Sequence, residues 1–267
     1  MQISTSMSRG TCFRHAAAVL LALCLTAVAS AAPLEPGAAI DVAGRQRMLS
    51  QRIVKAYCQV GMKVTVQESQ AQLGNAVQRF ESQLTVLGQT VRDPGTRVLL
   101  ARLTAQWVPF RRIATGPASK DGARALTARD EHLLRAANDL VLAFQAASGT
   151  PQAKLVNTAG RQRMLSQRMA KLYMLRAWGI DTATLRDDID IASNEFTGAL
   201  ASLRAATENT PEIASELDAV SLQWEWFTTA IALQGAESYA LVVAAASESI
   251  LGSMERITGL YAALTPR

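Results

Sequence analysis

Histidine and cysteine are scarce in this sequence, and their scarcity excludes several familiar kinds of functional site. Beyond residue 31, only His132 and Cys58 remain of these two residue types. One histidine and one cysteine do not make a zinc site of the usual kind. No Cys-x-x-Cys-His sequence is present for haem, and no Glu-x-x-His pair for a di-iron bundle. Gly-x-Ser-x-Gly and phosphate-loop sequences are also missing. The sequence therefore predicts no enzyme of a familiar type and no cofactor.

Long apolar runs are missing as well, and the one apolar segment near the N-terminus is short for a membrane span. This segment, residues 16–28, follows Arg9 and Arg14 and precedes the small-x-small sequence of residues 29–31. Such an order is typical of a secretory signal peptide. We therefore predict a signal peptide over residues 1–31 and a periplasmic mature protein. A retained N-terminal anchor is the alternative.

Cysteine usage limits cross-linking in the mature chain. Once Cys12 and Cys24 are removed with the signal, Cys58 has no intrachain partner. We expect Cys58 to be buried in the first helix, and a disulfide-linked dimer is the less favoured alternative. Cys24 raises the alternative of a lipoprotein, but Leu23 precedes it, where a lipoprotein signal needs a small residue.

The strongest feature of the sequence is an internal repeat. Residues 43–52 and residues 159–168 both read Ala-Gly-Arg-Gln-Arg-Met-Leu-Ser-Gln-Arg, and we call these segments the two decamers. Ten identical residues mark an internal duplication. The weaker matches outside the decamers are mostly apolar: Lys55/Lys171, Tyr57/Tyr173, Phe80/Phe196, Leu84/Leu200, Leu87/Leu203, Trp107/Trp224 and Phe110/Phe227. Because residues needed only for packing have drifted, the unchanged basic decamers indicate a role beyond packing.

Apolar spacing and the position of proline and glycine predict an all-α protein. The predicted helices cover residues 38–62, 66–89, 95–115, 121–148, 152–178, 182–207, 211–233 and 236–264, with Thr182 and Thr210 as N-caps. The pattern predicts two tandem up-down four-helix bundles, a first domain over 32–149 and a second over 150–267. In the alternative, helix four runs nearly straight into helix five. The paired aromatic residues Trp107, Phe110, Trp224 and Phe227 are expected in the cores.

Acidic residues are missing from the segments around both decamers, residues 42–67 and 140–180. On a helical wheel Gly44, Arg47 and Met48 share a face with Gln51. A glycine inside a helix costs about 1 kcal/mol relative to alanine, so its presence in both copies suggests a close approach to the backbone. Guanidinium groups suit planar oxyanions. The interpretations left open are an anion site, two solvated basic faces, or arginines paired with carboxylates elsewhere.

A family resemblance follows from the decamers and their flanks. Residues 157–170, which read Asn-Thr-Ala-Gly-Arg-Gln-Arg-Met-Leu-Ser-Gln-Arg-Met-Ala, resemble the first-helix motif of the PilJ-type sensory domain. That domain is similar to the periplasmic part of NarX-type nitrate sensors. Residues 41–55 resemble the motif equally well. The motif is specific, whereas the rest of each unit agrees only in helix count and apolar spacing.

The resemblance implies a four-helix bundle that senses a small ligand outside the inner membrane. In the nitrate-binding members, two first helices meet across a dimer axis, and one arginine from each clamps nitrate beside a glycine. The matching arginines here are Arg47 and Arg163. The full set of ligand-binding residues that we predict is Gly44, Arg45, Arg47, Met48, Gln51, Gly160, Arg161, Arg163, Met164 and Gln167.

Two departures from the nitrate sensors leave the ligand open among nitrate, nitrite, sulfate and a carboxylate. Arg45 and Arg161 replace a small polar residue, and Gln51 and Gln167 replace an aromatic one, as in the PilJ-type motif. Such domains usually feed a kinase or a methyl-accepting coiled coil. Neither is present here, so we expect the signal to pass to a separate membrane sensor or chemotaxis protein.

The duplication suggests that one chain does what a homodimer does in the sensors. Helix one would pack on helix five about a pseudo-twofold axis, so that Arg47 and Arg163 share one anion. The competing geometry pairs identical helices from two chains. A rival function is a ligand-free adaptor bundle whose basic faces dock acidic partners in a sensor or pilus assembly. No nucleic acid is expected, because the protein is exported and has no RNA- or DNA-reading motif.

Overall fold

The computed structural model describes residues 33–180, 184–232 and 237–264. Over these ranges the chain forms eight α-helices and no strand, which confirms the predicted fold class. The first four are α1 (Pro36–Gly61), α2 (Val66–Thr90), α3 (Pro94–Ala114) and α4 (Lys120–Ser148). The second four are α5 (Pro151–Ala177), α6 (Leu185–Arg204), α7 (Pro211–Ala232) and α8 (Glu237–Ala263). Each boundary lies within three residues of its prediction.

The helix ends follow from local capping chemistry. Gly149 ends α4 in the left-handed conformation (φ 64°), where glycine has no Cβ to clash. Thr150 then caps α5 by accepting a hydrogen bond from the Ala153 amide, and Pro151 occupies the first turn. Helices α4 and α5 are therefore separate. Thr210 caps α7 through the Ile213 amide at 3.2 Å, as predicted, whereas Thr182 lies outside the described residues.

The helices pack as two equivalent sets joined through their first members. In the first set α1 packs against α2 and α4, and α3 packs against α4; in the second, α5 packs against α6 and α8, and α7 against α8. The most extensive contact of all is between α1 and α5, so the two decamer helices lie at the centre of the molecule. Residues 32–267 form one compact unit, and the division into domains 32–149 and 150–267 stays a prediction.

Each set has the same aromatic core. Phe80 stacks on Trp107 in the first set, and Phe196 stacks on Trp224 in the second, with ring centroids 3.9 Å apart in both. Phe110 and Phe227 lie beside these stacks and are fully buried. The predicted core role of these repeated aromatic residues is confirmed.

Cys58 is buried and free, as expected for a packing residue. Burial raises the pKa of its thiol to about 12, which keeps it protonated and unreactive. The signal peptide and the alternatives at Cys24 lie outside the described residues. In the described part of the chain, no helix is both long enough and apolar enough to cross a membrane.

Candidate anion site

The packing of α1 on α5 brings both decamer glycines and two arginines to one point. A Cβ placed on Gly44 would lie 3.4 Å from Arg47 Nη2 and 3.5 Å from Arg163 Nη2. A Cβ placed on Gly160 would lie 3.1 Å from Arg163 Nη2 and 3.6 Å from Arg47 Nη2. Both guanidinium groups therefore occupy the space that the two glycines leave open, and they meet there from opposite helices.

Both of these arginines are buried. Arg47 is 1% exposed and Arg163 is 0% exposed, which makes them the largest fully buried side chains of the described residues. Taking a charged group out of water is costly unless it is paired and hydrogen-bonded. The partners of each guanidinium therefore decide how stable this centre is.

Arg47 is held by amide oxygens alone. Its Nη1 donates to Asn138 Oδ1 at 2.9 Å, and its Nη2 donates to Asn157 Oδ1 at 2.8 Å and to the Asn157 carbonyl at 3.4 Å. No carboxylate within the described ranges forms an ion pair with Arg47, and its Nε has no hydrogen-bond partner there. Arg47 is thus a buried charge with polar contacts but no neutralising group.

Arg163 is held by two carboxylates. Its Nη2 lies 2.7 Å from Asp41 Oδ1, and its Nη1 lies 3.2 Å from Glu255 Oε2. These distances are those of ion pairs, but the atoms are not aligned for hydrogen bonds. Among the described residues, Arg163 Nε, Arg163 Nη1 and Asp41 Oδ1 therefore have no hydrogen-bond partner. Arg163 is therefore neutralised electrostatically while two of its buried nitrogens keep a free N–H.

The difference between the two arginines arises at equivalent positions of the repeat. Asp41 and Asn157 each lie three residues before a decamer glycine, and each contacts the arginine of the other half. Asn138 of α4 and Glu255 of α8 also occupy equivalent places, 117 residues apart. The geometry is pseudo-twofold, but both carboxylates fall on the Arg163 side.

The surroundings of Arg47 disfavour its charged form. Its pKa is lowered from 12.5 to about 9, first by burial and then by the positive charges of Arg161 and Arg163. The carboxylate of Glu195 offsets part of this effect. A lowered pKa means that the surroundings disfavour the charged form of Arg47, and a neighbouring negative charge would stabilise that form.

The other predicted site residues divide into two groups. Met48, Gln51, Met164 and Gln167 are buried within α1 and α5. The Gln167 amide donates to the Ser247 carbonyl at 3.0 Å, and the Gln51 amide donates to Ser50 Oγ at 3.1 Å. Arg45 and Arg161 are partly exposed and are engaged by carboxylates, Asp41 and Glu255 for Arg45 and Glu195 for Arg161.

The outer cations of the decamer helices are not solvated basic faces. Arg52 and Lys55 on α1 share Glu248 of α8, each at 2.5 Å. On α5, Lys171 contacts Asp130 of α4 at 2.5 Å, and Arg168 contacts Glu131 of α4 at 2.8 Å. For these residues the interpretation as arginines and lysines paired with distant carboxylates is correct. The acids come from the last helix of the opposite half.

A cavity of about 290 Å³ is lined by one of the hydrogen-bond partners of Arg47. It lies between α4, α5 and α6, and its walls include Asn138, Arg161, Met164 and Glu195. Asn138 is the residue that accepts a hydrogen bond from Arg47. Asn138 therefore connects the cavity wall to the buried guanidinium that has no carboxylate partner.

Sequence reasoning missed the four residues that distinguish the arginines: Asp41, Asn138, Asn157 and Glu255. Asp41 and Asn157 were inside the motif, and comparing the two copies position by position reveals their difference. Asn138 and Glu255 lie about 90 residues after their decamers. Alignment at the offset of 117, which the aromatic pairs already indicate, is the signal that finds them.

Comparison with known families gives a match that covers most of the chain. The PilJ family, described as "Type IV pili methyl-accepting chemotaxis transducer N-term", matches residues 34–133 and residues 144–248. These two ranges contain one decamer each, and the family is a sensory one, typically periplasmic, rather than a catalytic one. No curated protein and no solved structure matches the chain. The described residues contain no cluster of three or more His, Cys, Asp or Glu side chains suited to a metal ion.

Proposed function

Because the chain belongs to the PilJ family, in two tandem copies, we propose that it is an exported sensory module that binds a small oxyanion between α1 and α5. The anion would be of the nitrate or nitrite kind. A separate protein, such as a membrane sensor or a chemotaxis protein, would read the bound state. Export would depend on the proposed signal peptide at residues 1–31.

One observation carries this proposal: Arg47 is a fully buried guanidinium whose hydrogen-bond partners are all neutral. A buried cation is strongly favoured when an anion neutralises it. Three buried nitrogens, Arg47 Nε, Arg163 Nε and Arg163 Nη1, also have no acceptor among the described residues. An oxyanion with several oxygens supplies both the missing charge and the missing acceptors.

Each predicted residue has a role in the proposed site. Arg47 and Arg163 would bind the anion from the two helices, and Gly44 and Gly160 would let it approach the backbone. Met48, Gln51, Met164 and Gln167 would line the surrounding space. Arg45 would share Asp41 and Glu255 with Arg163, and Arg161 would hold Glu195, so that these cations offset the negative charge of the acids around the anion.

Binding would act on the contact between the two halves. Without an anion, Arg47 lies beside the guanidinium of Arg163, and its lowered pKa reflects a repulsion that the carboxylates of Arg163 offset only in part. An anion would remove that repulsion and favour one placement of α1 relative to α5. A ligand shifts a conformational equilibrium by its differential affinity for the two states, and a partner could recognise the favoured state.

The alternative is the ligand-free adaptor that docks acidic partners. That function needs the decamer arginines at the surface, where a partner can reach them. Arg47 and Arg163 are instead buried, and Arg45, Arg52, Arg161 and Arg168 already have carboxylate partners. The burial of the central arginines therefore favours the ligand-binding function.

Calorimetric titration of the chain from Ala32, in low-chloride buffer, tests the proposal. Nitrate, nitrite, sulfate and small carboxylates are titrated in turn. We expect saturable binding of one anion per chain, and Arg47→Gln should abolish it while leaving the helical circular dichroism spectrum unchanged. Absence of heat and of thermal stabilisation with every anion would contradict the proposed function.

A further inference from the structure

Helices α3 and α7 occupy equivalent places in the two halves but carry opposite charge. Within its range α3 contains Arg97, Arg102, Arg111 and Arg112 and no acidic residue. Within its range α7 contains Glu212, Glu216, Asp218 and Glu225 and no lysine or arginine. Helix surfaces usually mix both signs, because neighbouring opposite charges stabilise a helix. One of these equivalent helices carries only positive charges and the other only negative ones, which indicates that their exposed faces bind a partner.

Each of these helices leaves one long face exposed. Helix α3 packs mainly on α4 and α2, and α7 packs mainly on α8 and α6. Within the described part of the chain, α3 and α7 do not pack on each other. The charges of α3 and those of α7 therefore do not neutralise each other within one molecule.

Several of the charges on these faces also lack a local partner. Arg97 and Arg112 are exposed and form no ion pair among the described residues, although Arg97 has a weaker electrostatic interaction with the exposed Asp93. Glu212 and Glu225 are exposed in the same way, without a cation nearby in the described ranges. The remaining charges of the two helices make single pairs with neighbouring helices, such as Arg111 with Glu81 and Asp218 with Arg204.

Apolar side chains accompany the charges on both helices. On α7, Trp226 is 77% exposed and Leu222, one turn before it, is 64% exposed. On α3, Val98 and Val108 are exposed. Buried tryptophan with a charged rim is a frequent anchor of protein interfaces. An exposed tryptophan between acidic residues therefore suits a partner surface that is basic and partly apolar, which describes α3.

The two halves as a whole also carry net charges of opposite sign. Residues 33–149 contain 15 Lys and Arg and 9 Asp and Glu, a net charge of +6. Residues 150–267 contain 10 Lys and Arg and 13 Asp and Glu, a net charge of −3. Opposite net charges on two halves attract the unlike halves of two molecules and repel the like ones.

We propose that this chain associates head to tail with a second copy of itself, with α3 of one copy docked on the Trp226 face of α7 of the next. Trp226 and Leu222 would pack between the exposed valines of α3. Arg97 and Arg112 would pair with Glu212 and Glu225. Each copy carries both surfaces, so two copies can make the contact twice in a closed twofold dimer, or each copy can make it with a different neighbour in an open chain or a ring.

Sedimentation of the chain from Ala32 over a range of concentrations gives the first test. We expect species larger than a monomer at low ionic strength, and salt should weaken the association at least tenfold because the contact is electrostatic. A monomer at every concentration in low salt would overturn the proposal. These measurements need no anion, so their outcome is independent of the proposed function.

Charge reversal identifies the two surfaces. One variant carries Arg97→Glu and Arg112→Glu, and the other carries Glu212→Arg and Glu225→Arg. Each variant alone should be monomeric, because the residues that would pair across its α3–α7 contact then carry charges of the same sign. Mixed in equal amounts, the two should associate again. A variant that still associates alone, or a mixture that remains monomeric, would exclude the α3–α7 contact. Unchanged thermal unfolding serves as the control for folding.

A second pair of variants tests the apolar anchor. Leu222→Ala with Trp226→Ala should weaken association at least tenfold. The matched control is Ile191→Ala on α6, since Ile191 is also 64% exposed and lies outside both helices. Association in wild type should shift tryptophan fluorescence to shorter wavelength, and Trp226→Phe should remove that shift while retaining association. Equal weakening by the control would argue against a specific anchor.

Discussion

Arg47 and Arg163 share one sequence context but differ in what neutralises them. The decamers are identical, so the difference lies in four residues outside them: Asp41 and Glu255 beside Arg163, and Asn157 and Asn138 beside Arg47. The same side chain is therefore a member of an ion-pair cluster in one half and a buried, unneutralised cation in the other.

Glutamine substitutions should separate these two situations. Arg163→Gln removes the buried cation beside Asp41 and Glu255 and leaves them paired with Arg45, so we expect it to cost about 1–3 kcal/mol in the free energy of unfolding. Arg47→Gln removes an unneutralised buried charge and should cost less than about 1 kcal/mol. Denaturant unfolding of both variants measures the difference. Equal destabilisation would show that the two sites are equivalent after all.

Exchanging the acid and the amide should change anion affinity in opposite directions. Asp41→Asn removes a carboxylate that already occupies Arg163, so we expect anion affinity to rise about tenfold. Its matched variant, Asn157→Asp, places a carboxylate beside Arg47 and should lower the affinity by at least as much. Titration with the same anion compares them. A loss of affinity in Asp41→Asn would mean that Asp41 helps to hold the ligand.

Sequence alone located the arginines but not their partners. The repeated decamer identifies Arg47 and Arg163 because its ten residues are identical in the two copies, whereas most other residues of the two halves differ. Asn138 and Glu255 belong to helices far along the chain, and neither residue type is unusual on a helix surface. Only the packing of α4 and α8 against the decamer helices makes them partners of the arginines.

At the scale of the helices, ion pairs with carboxylates of α8 fix both α1 and α5 in place. Glu248 of α8 contacts Arg52 and Lys55 of α1, and Glu255 contacts Arg45 of α1 and Arg163 of α5. Burial raises the pKa of both glutamates, but the neighbouring cations outweigh burial and leave each pKa below the usual value. The folded state therefore favours the ionised form of both acids.

These pairs predict a specific loss of stability in acid. A carboxylate whose pKa is lower in the folded than in the unfolded chain stabilises the protein above its unfolded pKa. That contribution disappears as the pH falls from about 4.5 through the folded pKa. Glu248→Gln should therefore be less stable than wild type near neutral pH, and the gap should narrow below about pH 4. Denaturant unfolding from pH 7 to pH 3 measures this.

The control for the acid prediction is Glu68→Gln, because Glu68 is exposed and no cation in the described ranges pairs with it. Its stability curve should run parallel to that of wild type. A constant gap between Glu248→Gln and wild type at every pH would mean that Glu248 contributes through packing and not through its charge.

Helix positions were predictable from the sequence, whereas helix pairing was not. Glycine, proline and capping residues act locally, so both ends of each of the eight described helices could be placed within three residues. The contact between α1 and α5 depends on which apolar and polar faces fit together across more than 100 residues. From the sequence, the α1–α5 contact could be stated only as a hypothesis, which the internal duplication suggested.

For the whole molecule, the central α1–α5 contact predicts cooperative unfolding. Both decamers are buried between the halves, and Lys171 of α5 depends on Asp130 of α4 for its buried partner. Neither half keeps these groups satisfied without the other. Calorimetry of the chain from Ala32 should thus give one transition whose calorimetric and van't Hoff enthalpies agree. Two separate transitions would indicate independently stable domains over 32–149 and 150–267.

The unequal partners of the central arginines also have an evolutionary consequence. In a homodimer one gene encodes both sides of the axis, so a mutation that adds an acid on one side adds it on the other. Once two copies are fused in one chain, each side can mutate separately, and Asp41 and Glu255 could appear opposite Asn157 and Asn138. The two sides of the α1–α5 contact therefore differ in charge, so a movement that starts there affects the two halves of the molecule unequally.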